Sequence, residues 1–189
     1  YAGVDVIPET LDSFLMEVSR TPCGGNFAVP HKRTAMHSMR VTSGPAQHAG
    51  AVNTFWGDGY GALDADNTDV AGFNEAIREL MGETPSDIRV AVLGSGGSAA
   101  AAVTAMDAWN NVTVSVHARD LARAMSMRMR HSAVVRVCSM RDPCLSDADL
   151  VVNATSVGMD SNDLPVELER LTPRAVVMDL VYRADETAF

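Results

Sequence analysis

The chain has 189 residues, 47% of them hydrophobic, and a net charge of -9 from 15 Lys and Arg against 24 Asp and Glu. That length and apolar content suit one large domain or two small ones with a sizeable core, and the acidic balance, with basic residues gathered only between Arg119 and Arg130, argues against nucleic acid as a partner. No apolar run reaches the length needed to span a bilayer and no basic-then-apolar leader opens the sequence, so a cytoplasmic protein with no membrane partner is expected.

Pro8 is placed to open a helix, and Leu11, Phe14, Leu15 and Val18 recur at the spacing of one helical face. Thr21 to Gly25 ends it. Asn26 to Val29 reads as a short strand stopped by Pro30, and Ala35, Met36 and Met39 suggest a second helix starting near Lys32. Ala51 to Trp56 and Ala62 to Ala65 are short strands around the glycine-rich turn Gly57 to Gly61. Asn67, Thr68 or Asp69 caps the next helix, whose apolar face is Val70, Phe73, Ile77 and Leu80.

Gly82 to Asp87 looks like a linker, and a domain boundary near residue 85 divides the chain into 1–84 and 85–189. Beyond it strands and helices alternate: strand 88–93, helix 97–109, strand 112–116 and helix 119–130, then strands at 134–137, 149–153 and 174–180. Apolar runs without polar alternation suit a parallel sheet covered on both faces. The expected class is α/β, a partial α/β domain followed by a Rossmann-like doubly wound domain.

Three features bear on chemistry. A lysine just after a strand-like run, Lys32, and an aspartate just before a helix-like run, Asp69, suit one site of proton transfer to a sugar-like hydroxyl. Val90 to Leu93 followed by Gly94-Ser95-Gly96-Gly97-Ser98-Ala99 reads as strand, glycine turn and helix start, the arrangement that binds a dinucleotide pyrophosphate. At the end of the next strand, in Ala118-Arg119-Asp120-Leu121-Ala122-Arg123, Arg119 and Arg123 stand one helical turn apart, which favours the 2'-phosphate of NADP; Asp120 leaves NAD open. Cys23, Cys138 and Cys144 lack the short paired spacing of metal or redox sites and are read as free thiols, with no metal site expected.

Six ordered motifs then come together: Gly25-Asn26 through Pro30-His31-Lys32, Ala49 to Thr54, Asn67 to Phe73, Gly94 to Gly97, Asn153 to Met159 and Asp179 to Tyr182. The chain resembles the shikimate dehydrogenase family over nearly its whole length. The resemblance implies NADP-dependent reduction of 3-dehydroshikimate to shikimate in aromatic amino-acid biosynthesis, by a monomer or homodimer. It implies a catalytic pair, Lys32 and Asp69, in which the lysine exchanges a proton with the oxygen on the carbon that gains or loses hydride. Substrate contacts fall to Asn26, Asn53 and Tyr182 beside that pair. Cofactor contacts fall to Gly94, Ser95, Gly96, Gly97 and Ser98 at the phosphate loop, to Ala118, Arg119 and Arg123 at the adenosine phosphate, and to Asn153, Thr155, Ser156, Met159 and Leu180 on the nicotinamide side.

The pattern breaks at Ala28, where the family usually has a threonine that reaches the substrate. Losing one neutral hydrogen bond weakens binding by about 0.5 to 1.5 kcal/mol, roughly three- to tenfold. Ala118 likewise stands where the family often has asparagine. The chain starts near the second strand of the family's substrate domain and stops before its last helices, so the expectation is a central portion lacking N- and C-terminal segments. Two alternatives stay open: a quinate or shikimate-analogue dehydrogenase, and a non-catalytic nucleotide-binding relative.

Overall fold

Leu11 and Leu15, one helical turn apart, are both buried, and they seat helix α1 (Leu11–Val18) on the core of the first of two units into which the chain divides, Tyr1–Val70 and Ala71–Phe189. The computed structural model describes residues 2–189. The first unit holds a four-stranded sheet of β1 (Pro22–Asn26), β2 (Val41–Thr42), β3 (Thr54–Asp58) and β4 (Leu63–Asp66), in the order β1-β3-β4-β2. β3 runs antiparallel to both β1 and β4, and β2 lies parallel to β4. Phe27, Ala35, Ala46, Val52, Phe55 and Leu63 pack with the α1 leucines, and the Phe27 and Phe55 rings stack 4.8 Å apart.

The first sheet strand lies at Pro22–Asn26, earlier than the Asn26 to Val29 run that sequence suggests. Its Gly24-Gly25 pair carries no hydrophobic signal, yet a Cβ at Gly25 would meet the Phe55 ring at 2.8 Å, so the glycine leaves room for the aromatic pair. The expected helix after Lys32 is only a short 3-10 segment, Ala35–Ser38. A helix that sequence did not indicate, α2 (Gly44–Ala49), is capped by Ser43, whose Oγ accepts from Ala46 N at 3.2 Å, and closed by Gly50 in the left-handed region.

Helix α3 (Asp69–Met81) begins at the end of the first unit, but from Ala71 onward it packs with the second. Phe73 stacks on Trp109 at 6.0 Å, and Trp109 Nε1 donates to Asn74 Oδ1 at 2.8 Å. The division by packing therefore falls at Val70/Ala71, ahead of the composition change at 82–87 that suggested a boundary near 85.

The second unit is a five-stranded, all-parallel sheet of β5 (Arg89–Leu93), β6 (Thr113–Ala118), β7 (Val134–Ser139), β8 (Leu150–Asn153) and β9 (Val176–Asp179), in the order β7-β6-β5-β8-β9. Strands added first on one side of β5 and then on the other make this a doubly wound, Rossmann-like sheet, with the order reversing between β5 and β8. Helices α4 (Gly97–Met106) and α5 (Leu121–Arg130) follow β5 and β6. Ala99 to Met106 are all buried, as an alanine-rich helix with no polar face requires. Among the described residues no helix is long and apolar enough to cross a membrane.

His117 on β6 is fully buried, with Nε2 2.9 Å from Ser115 Oγ. Burial, helped by the Arg136 charge and opposed by Asp147, pushes its pKa down to about 4 from an ordinary 6.5. The native state therefore holds His117 neutral, and its contribution is complete above pH 6.5 and lost as pH falls toward 4. A shift of that size corresponds to roughly 3 kcal/mol. Melting temperature should fall over this pH window in the wild type and fall less in His117→Gln; parallel curves would show that His117 does not couple folding to protons.

Candidate active site

Three chain segments converge on Val52 and Asn53. Val52 N donates to Lys32 O at 2.7 Å, Phe27 N donates to Asn53 O at 2.8 Å, and Asn53 N donates to Asp66 O at 3.0 Å. These backbone bonds hold the Asn26 strand end, the Lys32 turn and the start of α3 beside one another.

Side chains complete the convergence. Asn53 is 7% exposed, and its Nδ2 donates to Asp69 Oδ1 at 2.7 Å and to Thr68 Oγ1 at 2.9 Å. Its Oδ1 accepts from Thr68 N at 2.9 Å and from Thr54 Oγ1 at 3.0 Å. Lys32 Nζ lies 2.7 Å from Asp69 Oδ2, with side-chain exposures of 16% and 33%. The two oxygens of Asp69 are thus split between Asn53 and Lys32, which fixes the carboxylate plane and aims the ammonium. Asn26 Nδ2 joins through Thr54 Oγ1 at 2.9 Å. The expected set Asn26, Lys32, Asn53 and Asp69 therefore forms one polar cluster, partly open to solvent.

Thr54 and Thr68 belong to that cluster and are not among the expected site residues, Thr68 being expected from sequence only as a candidate helix cap, although both lie inside the Asn53-Thr54 and Asn67-Thr68-Asp69 motifs. Asn67 Nδ2 donates to Ala51 O at 2.9 Å, and Thr68 pairs with Asn53 through both its backbone N and its Oγ1. Ala28 is exposed.

The second unit carries the nucleotide-type residues at the carboxyl ends of its strands. Gly94 has φ +113°, and a Cβ there would stand 2.7 Å from the Ala154 carbonyl oxygen, so the turn after β5 and the turn after β8 approach too closely for a side chain. Gly96 precedes α4, and a Cβ there would meet nothing within 4 Å, which leaves its backbone open to approach. Ser95 is buried, and Gly97 and Ser98 form the first turn of α4.

At the adenosine end the structure corrects one expectation. Helix α5 starts at Leu121, so Arg119 lies before it and does not share a helical turn with Arg123. Asp120 is the cap: its Oδ1 accepts from Arg123 N at 2.9 Å and its Oδ2 lies 3.5 Å from Arg123 Nε. That leaves Asp120 committed to the helix start, while Arg119 and Arg123 are both exposed. Ala118 is 1% exposed, and its carbonyl accepts from Met140 N at 3.1 Å.

Asn153, at the end of β8, is fully buried and holds Thr155 through N at 3.1 Å and Oγ1 at 2.7 Å. Ser156 and Met159 are exposed, and Leu180 N donates to Asn153 O at 3.0 Å. Tyr182 stands 89% exposed after β9.

No protein-family model matches the chain. A shikimate dehydrogenase (NADP(+)) from Ignicoccus hospitalis is 34% identical over 190 residues, covering 100% of this chain and 70% of that protein. The chain belongs to the shikimate dehydrogenase family. A shikimate 5-dehydrogenase from Thermus thermophilus, crystallised with NADP(H) and shikimate, superposes with a TM-score of 0.80 at 33% identity, covering 98% of this chain and 68% of that one. A quinate dehydrogenase from Corynebacterium glutamicum in complex with NAD has a TM-score of 0.74 at 28% identity, covering 91% of this chain and 64% of that one. The Rossmann-like class read from sequence is the fold these relatives share with the chain.

The Gly94 turn yields a direct test. Gly94→Ala should destabilise the protein by about 1–3 kcal/mol, because the added methyl meets backbone rather than a flexible side chain. Urea unfolding with an unchanged midpoint would contradict this close approach.

Proposed function

We propose that this member of the family interconverts 3-dehydroshikimate and shikimate with NADP(H). The observation that carries the reading is the Asp69 carboxylate shared between Asn53 and Lys32, which holds a lysine ammonium in a defined position within a cluster of hydroxyl-binding side chains.

In the reductive direction Lys32 donates a proton to the oxygen of the ketone as negative charge develops there, and in the oxidative direction its neutral amine takes the hydroxyl proton. Asp69 orients Lys32 and accepts from a substrate hydroxyl, and Asn53 and Asn26 offer amide groups to neighbouring hydroxyls. Bound NADP(H) supplies or accepts the hydride. Gly94 to Ser98 would hold its pyrophosphate through backbone amides, and Arg119 and Arg123 its 2'-phosphate. Asp120, used as a helix cap beside Arg123, is not poised to take a ribose hydroxyl, which supports NADP over NAD. Asn153, Thr155, Ser156, Met159 and Leu180 would line the nicotinamide side, and Tyr182 the substrate.

Ala28 supports a second reading, a preference for quinate or another shikimate analogue, since a missing hydroxyl removes one discriminating contact. Nicotinamide absorbance during incubation with shikimate or quinate, each with NADP or NAD, separates the two. Reduction of NADP with shikimate is the expected result, quinate preference would establish the second reading, and silence in all four mixtures would overturn both. In the same assay Lys32→Ala should lose about 10²- to 10⁴-fold in kcat. Turnover unchanged by that substitution would refute the assigned role.

A further inference from the structure

Asp179 ends β9 and pairs in register with Asn153 at the end of β8, which in turn pairs with Leu93 just before Gly94. Asp179 Oδ1 accepts from Asn153 Nδ2 at 2.9 Å and from Val181 N at 3.0 Å. Because Asp179 Oδ1 accepts here, the Asn153 amide is turned with Nδ2 toward β9 and Oδ1 facing the other way. That oxygen is the one that takes both Thr155 N and Thr155 Oγ1.

The chain of bonds continues into the turn. Thr155 Oγ1 accepts from Val157 N at 3.1 Å, and Asn153 Nδ2 also donates to Val157 O at 3.2 Å. Rotating the Asn153 amide by half a turn would place like groups against one another at Asp179, Thr155 and Val157 together. Asp179 is therefore, with Val157 O and Thr155 N, one of the groups that set the Asn153 amide, and it is the side chain that ties the turn after β8 to β9; this is the same turn whose Ala154 carbonyl closes over Gly94. Its other oxygen, Oδ2, is buried with no partner among the described residues, so the carboxylate acts on the protein through one oxygen.

We propose that Asp179 is a positioning residue for the nicotinamide half of NADP(H), acting through the Asn153 amide on the turn from Asn153 to Met159. The inference rests on the NADP reading above and adds to it a residue that touches neither substrate nor cofactor in its assigned role. It predicts a larger loss on the nicotinamide half than on the adenosine half, because the bonds Asp179 makes lead to Asn153 and Val181 and away from Arg119 and Arg123.

The test is titration of the full chain with NADP+ and, separately, with adenosine 2',5'-bisphosphate, which lacks the nicotinamide. Asp179→Leu and Asp179→Ala should weaken NADP+ binding by about tenfold or more, the size expected when a buried amide is left without one of its partners, and leave the bisphosphate within about twofold of wild type. Asp179→Asn can keep the acceptor facing Asn153 and alters only the oxygen that meets nothing, so it should bind NADP+ within about threefold of wild type. If the apolar variants do not fold, Asp179→Glu keeps a carboxylate but moves its accepting oxygen off Asn153 Nδ2 and Val181 N, so it should weaken NADP+ binding and leave the bisphosphate within about twofold of wild type. Equal losses for both ligands, or NADP+ binding indifferent to Asp179→Leu and Asp179→Ala, would overturn the inference alone. Wild-type protein that does not bind NADP+ would overturn the cofactor reading as well.

Discussion

The side chain of Asn53 is the constraint on which the polar cluster around Lys32 and Asp69 depends. It is nearly excluded from solvent, so its amide must find partners inside the protein or cost about 1–3 kcal/mol for each group left unmet. Its partners are Thr68 N, Thr68 Oγ1, Thr54 Oγ1 and Asp69 Oδ1, which together define where α3 starts. Asp69 is the first residue of that helix, so its carboxylate is placed by the same bonds and the Lys32 ammonium follows it. Stability and function draw on one network here: the bonds that satisfy a buried amide also orient the proposed proton carrier.

In the second unit the equivalent constraint is backbone register. Parallel pairing sets Leu93, Asn153 and Asp179 side by side at the carboxyl ends of β5, β8 and β9. The order of strands reverses between the first two, which is where doubly wound sheets take their ligands. Gly94 lets the turns after β5 and β8 meet without a side chain between them. The placement of these strand-end groups thus follows from strand register more than from any one side chain.

Much of this was readable in the amino-acid sequence, and the exceptions have physical causes. The parallel sheet was legible because strands buried on both faces, such as Val90 to Leu93 and Leu150 to Val152, are continuous apolar runs. Lys32, Asn53 and Asp69 were legible as members of ordered motifs. β1 was not, because Pro22-Cys23-Gly24-Gly25-Asn26 gives no hydrophobic alternation. α2 was missed because six residues with a Gly-Pro start show too few turns for a period to emerge. Arg119 was placed on a helix that Asp120 caps one residue later. Thr54, Thr68 and Asp179 needed coordinates, since a hydroxyl or carboxylate that positions another side chain looks in sequence like any polar residue beside a motif.

A double-mutant cycle on kcat for shikimate oxidation, built from Lys32→Ala, Asp69→Ala and the two combined, tests most directly whether Lys32 and Asp69 act as one unit. Groups that depend on each other for position and proton transfer lose their effect together, so the combined variant should be within about threefold of the slower single one. Losses that multiply would mean that the two residues work independently and that the shared carboxylate does not organise the proton transfer.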